Sequence, residues 1–309
     1  GKLARSLPDV VNVVSGMLKP DTAHADHVKG KLGQNFAFGP KTPINVPITG
    51  QRSFACTSLP LAQIKQIGAR HGAKLNDVVL AICSGALRSY LQHKHKLPRK
   101  SLIATVPVSL REPGNTATTT QATLTLVSLA SHISDPQKRL HAICKAAGAA
   151  KSLTQNAKTV IPTDFPSLGV PWLLGGLASL YGYSKLASVM PPIANVAISN
   201  VPGPQQPLYV AGAKISGYWP LSIVEHGLGL NITLVSYCDS LDFGLTAASN
   251  ALPDVYLLAQ MLNQSYEELL QLPTETPDTP AANTASNDAG AKPAVKRKRR
   301  QTTTTPTST

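Results

Sequence analysis

Apolar residues recur at helical spacing in five parts of this chain and at every second position in several others. From Asn76-Asp77 onward, Val79, Ile82, Cys83, Ala86, Leu87, Tyr90 and Leu91 follow the three, four and seven spacing of one helix face. The first part of this stretch is apolar nearly all round. It predicts a central, buried helix whose far end emerges with Arg88 and the basic run after Leu91. Leu61, Ile64 and Ile67 predict a shorter helix before it, with Ser58 as N-cap, Pro60 in the first turn and Gly72 as the stop. Asp135 to about Ser152, with Leu140, Ile143 and Ala147 inward, and Pro253 to Leu270 predict two more. Leu7 to Leu18 reads as one short helix, followed by a Gly- and Pro-rich connection through Pro40, Pro43 and Pro47.

Period-two or β-branched runs predict strands at Ser101–Leu110, Ala122–Ala130, Ile193–Asn200, Leu208–Ala211 and Lys214–Tyr218. A hairpin follows, Leu228–Tyr237 and Leu241–Thr246, around Cys238-Asp239-Ser240. Helices mixed with strands, several strands in succession and no alternating βα rhythm predict an α+β sandwich-like layer, not a doubly wound sheet. The run Ile198-Ser199-Asn200-Val201-Pro202-Gly203-Pro204 stands out. Ala194, Val196 and Ile198 are apolar on one face, and Ala197 and Val201 on the other, so the strand is expected to be covered on both. Pro202 and Pro204 cannot donate to a ladder and Gly203 tolerates a positive φ, so pairing should stop there. Ser199 and Asn200 at this strand end either touch a ligand or simply close the strand.

The 309 residues are 42% hydrophobic, ample for a real core, with 25 prolines and 22 glycines. Leu272 to Thr309 is Pro, Thr, Ala, Ser and Asn with almost no large apolar residue, and reads as a disordered tail. The chain starts at Gly1, not methionine, as a processed or truncated chain would, and residues 1–50 read as a crossover arm leading into a body at 51–271. Of the net +13 charge, the tail carries +3, through Lys292 and Lys296-Arg297-Lys298-Arg299-Arg300 against three carboxylates, leaving +10 on residues 1–271. That balance favours anionic partners: phospholipid surfaces, CoA-type phosphates or nucleic acid. Nucleic acid ranks last, because no aromatic residue is interleaved with the basic run.

Cys56, Cys83, Cys144 and Cys238 fit no CxxC pattern and read as reduced core residues. His24 with His27, or His93 with His95, lack companions at ligand spacing and read as surface histidines, so no metal is expected. Phe165 to Ser184 holds twenty residues without a charge. Its prolines and glycines argue against a membrane span and leave a lipid-facing surface or channel mouth, or an ordinary buried helix, open. No GxSxG elbow, phosphate loop or HExxH pair occurs. Asn76 and Asp77 suit the start of a buried helix, and Glu225-His226 reads as a turn.

Several co-linear motifs carry a resemblance: RSFA from Arg52, LNDVVLAICSGALRSYL from Leu75, VPVSLR from Val106, Gly114-Asn115, ISNVPGP from Ile198, LNITLVSY from Leu230, and LDFGL followed by Leu252-Pro253-Asp254. In that order they resemble the bacterial wax ester synthase/diacylglycerol acyltransferase family over about residues 40 to 270. The resemblance implies two chloramphenicol-acetyltransferase-like (CoA-dependent acyltransferase) domains, with this chain mainly the C-terminal one and residues 1–50 arriving from a missing N-terminal half. It implies transfer of an acyl group from acyl-CoA, a co-substrate and not a resident cofactor, to a long-chain alcohol or diacylglycerol. The family's HHxxxDG motif, whose second histidine is the general base, is expected upstream of Gly1; His24-Ala25-Asp26-His27-Val28-Lys29-Gly30 does not fit it. A positioned base contributes on the order of a hundredfold to ten-thousandfold, so this chain alone is expected to be inactive.

Within this frame Ser199, Asn200, Asn231 and Arg111 are the candidate substrate-binding residues, Arg111 toward CoA phosphates. Asn76, Asp77, Pro202 and Gly203 are structural motif positions. The expected setting is the cytoplasm, peripheral to the inner membrane or lipid inclusions. The competing reading is a non-catalytic lipid-surface protein that uses Phe165–Ser184 and the basic tail.

Overall fold

Leu230, Ile232 and Leu234 alternate with Asn231, Thr233 and Val235 along one strand, and Leu241, Phe243 and Leu245 with Asp242, Gly244 and Thr246 along the next. All of these residues are buried. Alternation puts the two sets on opposite faces, so both faces of this hairpin are covered, by unlike layers. The computed structural model describes residues 38–109, 122–157 and 192–273 and shows what those layers are. They all lie in the first of the two units into which the chain divides, Gly1–Thr274; Glu275–Thr309 lies outside the described residues.

A six-stranded sheet forms the centre. Its strands are β1 (Arg52–Pro60), β2 (Ile103–Ser109), β3 (Ala122–Ser128), β4 (Val196–Val201), β7 (Leu230–Tyr237) and β8 (Ser240–Ala248), in the order β1-β8-β7-β4-β2-β3. β4 runs parallel to both β2 and β7, and the other pairs are antiparallel. A separate short ribbon joins β5 (Tyr209–Val210) and β6 (Ala213–Lys214). The helices are α1 (Leu61–Arg70), α2 (Leu75–His93), α3 (Pro136–Ala157) and α4 (Val255–Leu270). This is a mixed α+β fold around one sheet.

The aliphatic face of the sheet and the helices share one core, including Ile198, Leu234, Phe243, Leu87, Leu140 and Leu258. Every residue of α2 from Asp77 to Leu87 is buried, as its all-round apolar start predicts. Each fully buried Leu, Ile, Val or Phe side chain contributes roughly 1.5–3 kcal/mol, so this contact layer dominates the stability. The polar face is crossed by a strap, Tyr218–Ile223, whose backbone is tied to the sheet's side chains. Tyr218 N–H donates to Asp242 Oδ2 at 2.6 Å, Ser222 N–H to Thr246 Oγ1 at 3.2 Å, and Asn231 Nδ2 to the Ile223 carbonyl at 3.1 Å. Ile44, fully buried, and Asn45 bring residues 38–50 against the start of β4 and the turn before β7.

Several expectations are corrected. Arg52–Pro60 is a strand paired with β8 along its whole length, so Ser58 does not cap α1; its Oγ accepts from Trp219 Nε1, and Pro60 occupies the position before Leu61. Nine residues of ladder outweigh a local cap signal. Asn76 and Asp77 lie inside the first turn of α2, after Lys74. The Lys214–Tyr218 strand shrinks to Ala213–Lys214, because the residues after it leave to form the strap. β4 is not covered on both faces: Val196 and Ile198 are buried, Ala197 is half-buried and Val201 is 44% exposed. Of the cysteines only Cys83 is in the core, while Cys56 is exposed. Burial pushes the Cys83 thiol up to about 12. The Leu7–Leu18, Phe165–Ser184 and tail readings lie outside the described residues. Among the described residues no helix is long and apolar enough to cross a membrane.

Candidate functional site

β4 ends at Val201 because Pro202 has no N–H to offer β7 and the chain then turns sharply. Gly203 is required there: a Cβ would lie 2.2 Å from the Ser236 carbonyl oxygen and 2.5 Å from Val235 Cγ1. Its N–H donates to Ser236 Oγ at 3.0 Å, and the Pro204 carbonyl accepts from Cys238 N–H at 3.1 Å, so the turn is laid over the end of β7. A cavity of about 340 Å3 lies alongside, with Lys65 of α1, Pro204, Ser236, Cys238 and Asp239 in its wall.

Asn200 and Ser199 are carried to this end together but point to opposite faces, the consequence of adjacent positions on a pleated strand. Asn200 takes the helix side, where its Nδ2 donates to Asn76 Oδ1 at 3.4 Å. Asn76 stands in the first turn of α2, at the positive end of the helix dipole. Its neighbour Asp77 accepts from Lys74 N–H at 3.1 Å, satisfying one amide at the helix start. Burial, reinforced by the Asp77 carboxylate beside it, pushes the Cys144 thiol of α3 up. The end of β4, the start of α2 and a position on α3 thus form one polar cluster.

Ser199 takes the other face, in register with Thr233. Asn231 lies on that face too and is committed: one N–H holds the strap and its Oδ1 accepts from Thr233 Oγ1 at 2.8 Å. Of the sequence-derived candidates, Asn200, Asn76 and Asp77 come together. Ser199 and Asn231 belong to the strap side, Pro202 and Gly203 shape the turn, and Arg111 lies outside the described residues. Cys144 and Ser236 enter the cluster and the turn without any local signal in the sequence, since only tertiary packing brings them there. Glu225-His226 forms the expected turn, with His226 Nδ1 accepting from Ile48 N–H at 3.2 Å.

The arrangement offers neutral amide donors beside a helix N-terminus at the carboxyl ends of two neighbouring parallel strands. Such donors stabilise negative charge that develops on a carbonyl oxygen.

Residues 119–270 match the family model described as the WS/DGAT C-terminal domain, and residues 1–79 match the wax ester synthase/diacylglycerol acyltransferase catalytic domain. A putative diacylglycerol O-acyltransferase of Mycobacterium tuberculosis is 41% identical over 230 residues, 74% of this chain and 50% of that protein. The O-acyltransferase WSD of Acinetobacter baylyi is 37% identical over 274 residues, 87% of this chain and 55% of that protein. The solved wax ester synthase/diacylglycerol acyltransferase of Marinobacter aquaeolei VT8 superposes with a TM-score of 0.58 at 32% identity, over 81% of this chain and 57% of that one. A nonribosomal peptide synthetase, FmoA3, superposes at 0.50 with 14% identity, over 77% of this chain and 24% of that one, and shows the fold alone. The chain spans about half the length of the curated relatives it matches.

Proposed function

This chain belongs to the wax ester synthase/diacylglycerol acyltransferase family, and on that premise we propose that it supplies the C-terminal part of an acyl-CoA-dependent O-acyltransferase that makes wax esters or triacylglycerol. The observation that carries the reading is the convergence of Asn200 and Asn76 at a helix N-terminus, in a chain whose matches include the family's catalytic-domain model. The acceptor is a long-chain alcohol or diacylglycerol hydroxyl. Its oxygen attacks the thioester carbon, the C–O bond forms as the C–S bond breaks, and the hydroxyl proton ends on the departing CoA sulfur. A histidine base, which the resemblance assigns to a segment upstream of Gly1, takes that proton first. Asn76 and Asn200 bear the carbonyl side of the reaction, donating to the oxygen on which charge builds. Acyl-CoA is spent in each turnover, so no resident cofactor is required. The proposed setting is the cytoplasmic face of the inner membrane or the surface of lipid inclusions, where both substrates are concentrated.

The test is reconstitution. The chain extended by its natural upstream sequence is incubated with a long-chain acyl-CoA and a long-chain alcohol or diacylglycerol, and ester and free CoA are measured together. Equal amounts of both are expected. Neither product from any of these acceptors overturns the proposal.

A further inference from the structure

We propose that the end of the sheet opposite Asn76 and Asn200 is a docking surface for an anionic phospholipid membrane, formed by Lys96, Arg99, Lys100, Phe38 and Ile193. The proposal rests on the lipid-surface part of the reading above and is independent of the acyl transfer. The 19 residues of α2, at about 1.5 Å per residue, put this surface one helix length, about 28 Å, from the amide pair. It is a different place from the reaction.

Three segments meet there. Lys100 Nζ donates to the Phe38 carbonyl at 2.6 Å, Gly39 N–H to the Pro192 carbonyl at 2.7 Å, and Asn195 Nδ2 to the Pro40 carbonyl at 2.7 Å. Residues 38–40, the loop before β2 and the residues before β4 are thereby stitched into one surface. It exposes two large apolar side chains, Phe38 at 50% and Ile193 at 61%. Lys96, Arg99 and Lys100 are exposed beside them, and none is ion-paired among the described residues. Lys94 is different: Asp254, at 2.6 Å, offsets its charge.

The loop is held in shape. His95 adopts φ 54°, its N–H donates to the Gln92 carbonyl at 2.9 Å and Lys96 N–H to the Leu91 carbonyl at 2.8 Å, closing α2 with the paired bonds usual when glycine follows a helix. Leu97 packs against the core, so the cations are presented from a fixed turn. Cations alone would suit any polyanion. Cations around exposed Phe and Ile suit a lipid interface, where apolar side chains enter the acyl boundary while Lys and Arg meet the headgroups. A soluble phosphate offers nothing to Phe38 and Ile193.

The experiment is sedimentation of the 309-residue chain with phosphatidylcholine vesicles, with and without phosphatidylglycerol. Each basic residue near an anionic surface is worth about fivefold in affinity, so Lys96→Ser/Arg99→Ser/Lys100→Ser is expected to weaken binding to the anionic vesicles by on the order of a hundredfold. Phe38→Ser/Ile193→Ser should weaken binding as well, most visibly at high salt, where the apolar part persists. All five side chains are exposed at a loop surface, and unchanged circular dichroism and unfolding midpoint confirm that the variants fold. A parallel variant replaces the five basic residues Lys296–Arg300 by serine. If that variant abolishes binding while both surface variants bind as the parent does, the proposal is overturned. Binding to heparin as tight as to vesicles, with Phe38→Ser/Ile193→Ser neutral toward both, also overturns it. In the upstream-extended protein the triple variant should keep full acyl transfer with detergent-dispersed substrates, which separates failure here from failure of the enzymatic proposal.

Discussion

Gly244 shows how a single residue sets the relation between strap and sheet. A Cβ there would lie 1.8 Å from the Pro220 carbonyl oxygen, so Gly244→Ala must lift the strap or bend β8. Overpacking of this kind costs about 1–3 kcal/mol, and we expect a lower urea midpoint together with altered Trp219 fluorescence as its Nε1 bond to Ser58 loosens. An unchanged midpoint would mean that the strap is not seated on the sheet. Among the candidate residues, Asn200 was legible as a strand-end polar group, and so was the strand-terminating effect of Pro202. The partners were not. Ser199 and Asn200 read as one feature in sequence, yet the pleat sends them to opposite faces, and only the β4–β7 register reveals which face each takes. Asn231 was a candidate for substrate binding, and its hold on the strap was not legible, because the strap is brought over it from outside the strand.

The helices and strands differ in how far they could be read. α2 and α4 declare themselves by long, regular apolar spacing, and both lie within two residues of their expected ends. β1 does not: its inward positions Ser53, Ala55, Thr57 and Leu59 include two polar residues, so its alternation is faint, and a Ser and a Pro near its end imitate a helix start. The contact between α2 and α4 has its own test. At Gly85 a Cβ would lie 2.0 Å from Ser265 Oγ and 3.0 Å from Arg139 Nη2, both in buried residues. Alanine favours a helix over glycine by about 1 kcal/mol, but the clash is worth about 1–3 kcal/mol and wins, so Gly85→Ala should lower the unfolding midpoint. At the far end of α2, Asp254 accepts from Tyr90 Oη and pairs with Lys94. Burial opposes its charge, but the hydrogen bonds from Lys94 and Tyr90 outweigh that and hold the carboxyl below its ordinary value. Its folded pKa is depressed, so the stability it contributes is present above the unfolded value near 3.9 and is lost as pH falls below it. Asp254→Asn should therefore destabilise the protein at neutral pH and flatten the acid limb of the stability curve; an acid limb identical to the parent's would remove this cluster from the account.

At the scale of the molecule, the α+β class follows from the order of patterned segments, whereas the strand order does not. β4 lies between β2 and β7 through long-range parallel pairing, and no local pattern encodes that choice. The resulting sheet has two unlike ends, a neutral amide pair at a helix start and a basic, partly apolar loop cluster. The net charge pointed toward an anionic partner but could not say where it would meet the protein, because the cations of the Lys96–Lys100 loop gather with Phe38 and Ile193 only in the fold. The proposed part in acyl transfer belongs to the first of these ends. Its most direct test is the rate of CoA release by the upstream-extended protein carrying Asn200→Ala, compared with Ser199→Ala. The account predicts a loss in kcat on the order of a hundredfold for Asn200→Ala, as for other removed carbonyl-side donors, and a change within a few-fold for Ser199→Ala on the opposite face. Full activity in a folded Asn200→Ala protein would contradict it.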